Sequence, residues 1–148
     1  MSASLAIRGQ PRHAMAIAML EEAGLPVADV SEERLQNFFC VADKGAPVGL
    51  VGVELYGHEA LLRSLVVAPR ERGKGLGIAL ARHAEAYAAS RGVRSMYLLT
   101  LTAEPFFERL GYTRLDRSAA PASIQRTSEF ATLCPASSAF MVKVLSSA

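Results

Sequence analysis

The alternation of apolar and polar positions predicts a series of short strands and helices along the whole chain. Apolar residues that return every third or fourth position indicate a helix, and short apolar runs that end at glycine or proline indicate a strand. The clearest helical pattern covers residues 75–90, where Leu76, Leu80, Ala84 and Tyr87 recur about once per turn. The predicted strands are residues 4–8, 37–44, 48–56, 60–67, 94–101, 112–115 and 137–145. The predicted helices are residues 11–23, a short turn through Glu33 and Leu35, and residues 75–90, 104–110 and 121–126.

This order of elements indicates the fold class. A predicted hairpin, residues 37–44 with 48–56, precedes a strand–helix–strand crossover, so we expect an α+β or mixed α/β fold. Its sheet should be twisted and mostly antiparallel, with helices on both faces. A chain of 148 residues can bury a core without disulfides or metal and leaves no room for a second domain. We therefore predict a single domain over residues 1–148.

A glycine-rich basic turn follows the fourth predicted strand and leads into the long helix. It contains Gly73, Gly75 and Gly77, with Arg72 and Lys74 between them. Glycine reaches backbone angles closed to other residues and lets a ligand approach the main chain. The N–H groups of the first helical turn, with the positive end of the helix dipole behind them, favour an anion. The turn therefore predicts a diphosphate site, which we call the cradle (residues 72–77).

The glycine spacing in the cradle excludes two common nucleotide sites. A Walker loop needs a serine or threonine after its lysine, but Lys74 is followed by Gly75. A dinucleotide fingerprint needs Gly-x-Gly-x-x-Gly and an acidic residue about twenty positions later, and neither is present here. What the turn matches is Arg-x-x-Gly-x-Gly, at Arg72, Gly75 and Gly77.

A second motif lies in residues 100–112. It indicates a strand end, a short helix and a helix stop, with Ala103, Phe106, Gly111 and Tyr112 at its key positions. In this order and separation, the two motifs resemble the acetyl-CoA-binding and C-terminal signatures of the GNAT superfamily of N-acetyltransferases. Two positions depart from that pattern. Phe107 stands where many relatives have a tyrosine proposed to protonate the leaving thiolate, and Thr100 where an asparagine often contacts the cofactor.

The resemblance implies acetyl-CoA as co-substrate, and the residues themselves indicate no metal. In that family the strands that correspond to residues 60–67 and 94–101 splay apart, and the pantetheine arm lies between them, paired with the strand backbone. The N–H of Leu65 would steady the negative oxygen that develops on the thioester carbonyl. The cofactor-binding residues implied are Leu65, Val66, Val67, Arg72, Gly73, Lys74, Gly75, Leu76, Gly77, Thr100, Phe106 and Phe107.

The chemistry requires a deprotonated amine aimed at the thioester. We expect direct attack in a ternary complex, because neither cysteine lies beside a histidine or in a recognisable nucleophile turn. Glu54 is the candidate general base, and the alternative is a solvated carboxylate on an outer face. Arg63 is the candidate for gripping an acceptor carboxylate, and the alternative is a salt bridge to Glu54 or Glu59. The candidate acceptor-binding residues are Arg63, Ser64, Arg126, Thr127 and Ser128.

The C-terminal segment narrows the resemblance. Residues 124–130 and 133–141, with 62–67 and 97–100, resemble the arsenic-resistance branch of the superfamily, which is itself similar to the acetyltransferase domain of N-acetylglutamate synthases. Both imply a small acceptor shaped like an amino acid. Three alternatives stay open: an enzyme like N-acetylglutamate synthase, a non-catalytic acyl-CoA sensor, and an enzyme that acetylates a protein N-terminus or lysine.

Composition and charge limit the kinds of binding partner and the cellular location expected for this chain. The net charge of +2 and the scattered basic residues do not indicate nucleic-acid binding. The N-terminal segment carries Arg8, Arg12 and His13 through its apolar positions, so neither a signal peptide nor a membrane partner is expected. Cys40 and Cys134 indicate reduced thiols and a cytoplasmic protein. The three histidines lack metal-ligand spacing. The partner expected is a small-molecule amine, and a homodimer is left open.

Overall fold

The computed structural model describes residues 6–145, which form a seven-stranded, mostly antiparallel sheet with helices. The strand order is β1-β2-β3-β4-β5-β7-β6, and β4 and β5 run parallel. The strands are β1 (Arg8–Gly9), β2 (Phe38–Asp43), β3 (Ala46–Tyr56), β4 (Glu59–Val67), β5 (Ser95–Thr100), β6 (Thr113–Arg114) and β7 (Ala139–Val144). The helices are α1 (His13–Glu22), α2 (Leu76–Ser90), α3 (Glu104–Arg109) and α4 (Ala122–Gln125). The predicted α+β class is confirmed.

The predicted elements are present with ends shifted by a few residues. The first predicted strand, residues 4–8, lies mostly outside the described residues, and Arg8–Gly9 forms β1. The predicted turn through Leu35 is a single 3-10 turn, Arg34–Asn37. The sequence did not predict the wide helical turn Glu129–Leu133, in which the Cys134 N–H donates to the Glu129 carbonyl at 2.9 Å. That turn has no apolar periodicity to reveal it.

The described chain divides into two compact units. The first contains the residues up to Val53 together with Ser64–Ala84, and the second contains Glu54–Arg63 and the residues from Glu85 onward. The division falls within β3, β4 and α2, and one domain over the whole chain stays a prediction. Along residues 6–145, we find no helix whose length and apolar character would let it cross a membrane.

In the first unit, helices pack on both faces of the sheet. Leu50 of β3 lies in a core with Ala16 and Leu20 of α1. Its neighbour Gly49 faces α2, and a Cβ at this position would lie 2.8 Å from Leu80. Successive strand residues point to opposite faces, so α1 and α2 cover opposite sides. A glycine at this position lets α2 approach β3 closely.

The second unit is built around β5. This strand pairs in parallel with β4 over Ser95–Tyr97 and in antiparallel with β7 over Ser95–Thr100. The core on one face contains Leu61, Tyr97, Ala120, Ile124 and Phe140. Ile124 belongs to α4, so this short helix closes that core.

Candidate active site

The cradle has the backbone geometry that its glycines predict. Gly73 and Gly75 have φ of +79° and +85°, a region that favours glycine, and a Cβ at either would meet open space. The Ala79 N–H donates to the Gly75 carbonyl at 3.0 Å, which is the first hydrogen bond of α2. The N–H groups ahead of Ala79 have no acceptor within the helix. The turn therefore presents backbone donors to an anion.

Two charged side chains flank these donors. The Nε of Arg72 donates to the Val67 carbonyl at 3.2 Å, which ties the cradle to the end of β4. The ammonium of Lys74 is 57% exposed and lies 3.7 Å from Glu71, a pair that solvent screens strongly. Both residues lie on the first unit, and each adds positive charge beside the N-terminus of α2.

Apolar surface adjoins this positive charge. A cavity of about 240 Å³ lies between α1 and the end of β4. Its lining includes Met15 and Met19 from α1, Val66 and Val67 from β4, and Arg72 from the cradle. The first unit therefore places backbone donors and positive charge beside a non-polar surface, an arrangement that would suit a ligand that joins a diphosphate to a less polar arm.

Ser64 interrupts the regular backbone of β4. It is buried and has φ of +61°, in the left-handed region that residues with a side chain rarely adopt. A left-handed residue within a strand changes the direction of the backbone, and so the direction of the residues that follow it. The residues that follow are Leu65, Val66 and Val67, whose backbone the resemblance implies for the pantetheine arm.

Glu54 and Arg63 form a buried ion pair in the second unit. The Nη1 of Arg63 lies 2.6 Å from one Glu54 oxygen, its Nη2 lies 3.4 Å from Glu129, and the Tyr56 hydroxyl donates to the other Glu54 oxygen. The side chains of Arg63, Glu54 and Glu129 are 0%, 4% and 5% exposed. Of the two interpretations that the sequence leaves open for Arg63, the structure has the salt bridge to Glu54. Glu59 accepts from Ser123 instead.

Glu54 is not the solvated outer-face carboxylate that the sequence allowed as an alternative. Burial leaves little water to solvate it, and its two oxygens accept hydrogen bonds from Arg63 and Tyr56. These donors hold the carboxylate in one orientation.

The predicted acceptor residues at the end of α4 differ in exposure. Arg126 is exposed, Ser128 is half-buried and Thr127 is buried. The Thr127 hydroxyl donates to the Ile124 carbonyl at 2.8 Å and accepts from the Phe130 N–H at 3.2 Å. Both contacts lie within the chain, so in this conformation the Thr127 hydroxyl shapes the turn.

Two aromatic residues of the second motif, Phe107 and Tyr112, are buried in the core. Phe107 is 6% exposed, and its ring meets Phe106 and Tyr112 edge-on at 5.0 and 5.6 Å. Tyr112 donates to Glu85 at 2.9 Å, and burial followed by the Glu85 charge raises the pKa of Tyr112. Thr100 accepts from the Ala103 N–H at 3.0 Å at the start of α3. Tyr112 therefore holds its proton on a structural hydrogen bond, in addition to its packing against Phe107.

Cys40 has the properties of a structural thiol. Burial raises its pKa, against the smaller opposing effect of the Arg8 charge. A thiol with a raised pKa is protonated near neutral pH, and the thiolate is the nucleophilic form. The raised pKa therefore makes Cys40 a poor candidate for a nucleophile.

Sequence reasoning did not single out Arg117. It lies in the 3-10 turn Arg117–Ala119, with its guanidinium carbon 4.6 Å from the centre of the Phe130 ring. Its Nη2 donates to the Phe130 carbonyl at 3.1 Å. Within residues 6–145, its Nη1 is buried and has no hydrogen-bond partner. Nothing local to Arg117 signals this, because Phe130 is thirteen residues away.

Comparisons with known proteins agree with the motifs. The family model described as the acetyltransferase (GNAT) family matches residues 11–112. An uncharacterized N-acetyltransferase of Chlorobaculum tepidum is 35% identical over 104 residues, which are 70% of this chain and 64% of that protein.

Two solved structures share the fold. N-acetylglutamate synthase from Neisseria gonorrhoeae, complexed with coenzyme A and N-acetyl-glutamate, has a TM-score of 0.81 at 18% identity over 99% of this chain and 36% of its own. A Mycobacterium tuberculosis protein in complex with CoA and NLQ has a TM-score of 0.77 at 20% identity over 95% of this chain and 99% of its own. The chain thus spans about two thirds of the curated relative and about a third of the synthase. On the family model, which matches more than half of its residues, the chain belongs to the acetyltransferase (GNAT) family, the class that its two motifs predict.

Proposed function

We propose that this protein transfers an acetyl group from acetyl-CoA to the primary amine of a small amino-acid-like acceptor. The observation that carries the proposal is the cradle, in which Gly73 and Gly75 with positive φ precede the N-terminus of α2. Backbone donors, the helix dipole, Arg72 and Lys74 together suit the diphosphate of coenzyme A. The family assignment and the neighbouring structures with coenzyme A support this choice.

We infer the same cofactor set that the resemblance implies. The cradle residues, Leu76 among them, would hold the diphosphate, and the backbone of Leu65, Val66 and Val67 would pair with the pantetheine amides. Thr100, Phe106 and Phe107 complete the proposed set. Because Phe107 is buried, we propose that it supports the site by packing against Phe106 and Tyr112. Bound acetyl-CoA supplies the activated thioester.

In the proposed mechanism, the amine of the acceptor attacks the thioester carbonyl directly in a ternary complex. The Leu65 N–H donates to the oxygen on which negative charge develops. Glu54 is the proposed base that accepts the amine proton, directly or through water, with its carboxylate oriented by Arg63 and Tyr56. Thiols have a pKa of roughly 8.5, so the coenzyme A thiolate leaves without a protein acid.

The acceptor class is inferred from the C-terminal segment. Arg126 and Ser128 are proposed to contact the acceptor, with Ser64 and Thr127 beside them. Arg63 is proposed to act indirectly, because its Nη1 binds and orients the Glu54 carboxylate. The N-acetyl-glutamate bound to the gonococcal synthase favours an acceptor with a carboxylate. A role in arsenic resistance and a cytoplasmic location are further proposals that rest on the sequence alone.

The test is thiol release from acetyl-CoA with a panel of amines. The panel contains the twenty amino acids, their α-amides, polyamines and peptides with free N-termini or lysines. We expect release with at least one amino acid and its N-acetyl product by mass spectrometry. Binding of acetyl-CoA without release would instead establish a sensor, and release with the peptides alone would establish a protein acetyltransferase.

A further inference from the structure

The guanidinium of Arg117 is held firmly on one side and lacks a partner on the other. The Phe130 carbonyl accepts from Nη2, and the Phe130 ring lies under the charge. That ring packs edge-on against Phe140 at 5.3 Å, and Phe140 stacks on Tyr97 at 5.6 Å. The support for Arg117 therefore extends into the core of the second unit, so its guanidinium has little freedom to move.

An unpartnered buried guanidinium donor is unusual. Arginine cannot release its proton in a protein, so its charge stays, and a buried donor without an acceptor destabilises the fold. The carboxylates adjacent to this region are engaged elsewhere. Asp116 accepts from the backbone N–H and hydroxyl of Ser118 at 2.9 and 2.8 Å, and Glu129 faces Arg63. Within the described chain, Nη1 of Arg117 is therefore a fixed cationic donor for which no protein group acts as acceptor.

We propose that Arg117 is the residue that recognises a carboxylate on the acceptor, and that the substrates are primary amines that carry a carboxylate. Arginine suits this role because its planar donors match a carboxylate. Arg117 as a whole is half-buried, so it lies at the edge of the core, and a carboxylate that binds Nη1 must displace the atoms that cover it. This inference rests on the proposed function and assigns the carboxylate contact to Arg117.

The supporting contacts make the donor effective. A carbonyl and an aromatic ring already fix the guanidinium, so little side-chain entropy is lost when the acceptor binds. Charge-assisted hydrogen bonds to a fixed donor also discriminate strongly, because an analogue without the charge leaves the donor unpaired. The enzyme should therefore separate an acid from its amide.

The experiment compares Arg117→Met with the wild type on each amino acid that the wild type acetylates, and on the α-amide of that amino acid. Arg91→Met is the matched control. Arg91 also lies over an aromatic ring, that of Tyr87, and donates to the Tyr87 hydroxyl, but it does so on the exposed surface. We expect Arg117→Met to lower kcat/KM for the acid by about ten- to a hundredfold, the factor expected of a charged hydrogen bond. The KM for acetyl-CoA and the rate with the amide should stay unchanged.

If Arg117→Met does not fold, Arg117→Lys keeps the charge without the planar fork and should show a smaller loss in the same direction. Equal use of acids and amides by the wild type, or an unchanged ratio in both folded variants, would overturn the inference and leave a water molecule as the partner of Nη1. In that case the acetyltransferase itself still stands. The absence of thiol release with every amine would instead overturn the proposed function.

Discussion

At the scale of single residues, glycine conformation decides the cradle. Gly75 has φ of +85° and immediately precedes α2, so its carbonyl begins the helix while its own angles turn the chain into that helix. A β-branched residue in this region is strained. The side-chain charge of Lys74, by contrast, is exposed and screened.

We therefore expect Gly75→Val to weaken acetyl-CoA binding by at least about tenfold, measured by calorimetry, and Lys74→Ala to weaken it by less, since a screened surface charge contributes only about 1 kcal/mol or less. Gly77→Val should also weaken acetyl-CoA binding, because Gly77 lies in the first turn of α2.

The matched control is Gly45→Val. Gly45 has φ of +81° at the turn between β2 and β3, so it carries the same backbone strain outside the cradle. It should lower stability while leaving the affinity for acetyl-CoA unchanged. Normal binding by both cradle variants would refute the proposed diphosphate site.

Phe107 tests whether a protein acid is missing. If the thiolate leaves unaided, Phe107→Tyr should change kcat by less than about tenfold. The added hydroxyl would enter a ring cluster with Phe106 and Tyr112, so the free energy of unfolding should fall by about 1–3 kcal/mol where no partner is found. Turnover assays and urea unfolding measure the two effects. A hundredfold rise in kcat would show that the natural chain lacks a useful acid.

At the scale of elements, Arg63 joins three pieces of the second unit. It lies on β4, and its partners Glu54 and Glu129 lie on β3 and on the turn Glu129–Leu133. All three side chains are at most 5% exposed. Removing one member of such a buried set leaves the other charges uncompensated.

Arg63→Met should therefore lower the free energy of unfolding by about 3–5 kcal/mol in urea denaturation. Adding Glu129→Gln to Arg63→Met should recover part of that loss, because one stranded charge is removed. A folded Arg63→Met variant with wild-type stability and a raised acceptor KM would mean that Arg63 binds the acceptor carboxylate, as the sequence suggested.

At the scale of the whole molecule, the proposed reaction needs both substrates bound at once. Initial rates at varied acetyl-CoA and acceptor should give intersecting double-reciprocal lines, because no acetyl-enzyme forms. Cys40→Ala with Cys134→Ala should keep kcat within about threefold, since direct attack uses neither thiol and the half-buried Cys40 thiol has a raised pKa. Parallel lines together with an acetylated cysteine in mass spectra would contradict direct attack.

The sequence by itself determined the order of the elements, the fold class, the cradle and the family. These features are local. Helix periodicity, the strand runs and the positive-φ glycines each depend on residues within a few positions of one another. The sequence pattern alone therefore predicts them. The ends of α2 and β4, for example, lie within one residue of the prediction.

Only the tertiary structure decided which polar side chains meet. By sequence, the partner of Arg63 was Glu54 or Glu59, whereas the tertiary structure pairs Arg63 with Glu54 and with Glu129, which the sequence did not suggest. Arg117 has a buried Nη1 because Phe130, distant in the chain, packs beneath it. Burial and pairing depend on contacts between distant segments, and a local pattern of residue types carries no record of those contacts.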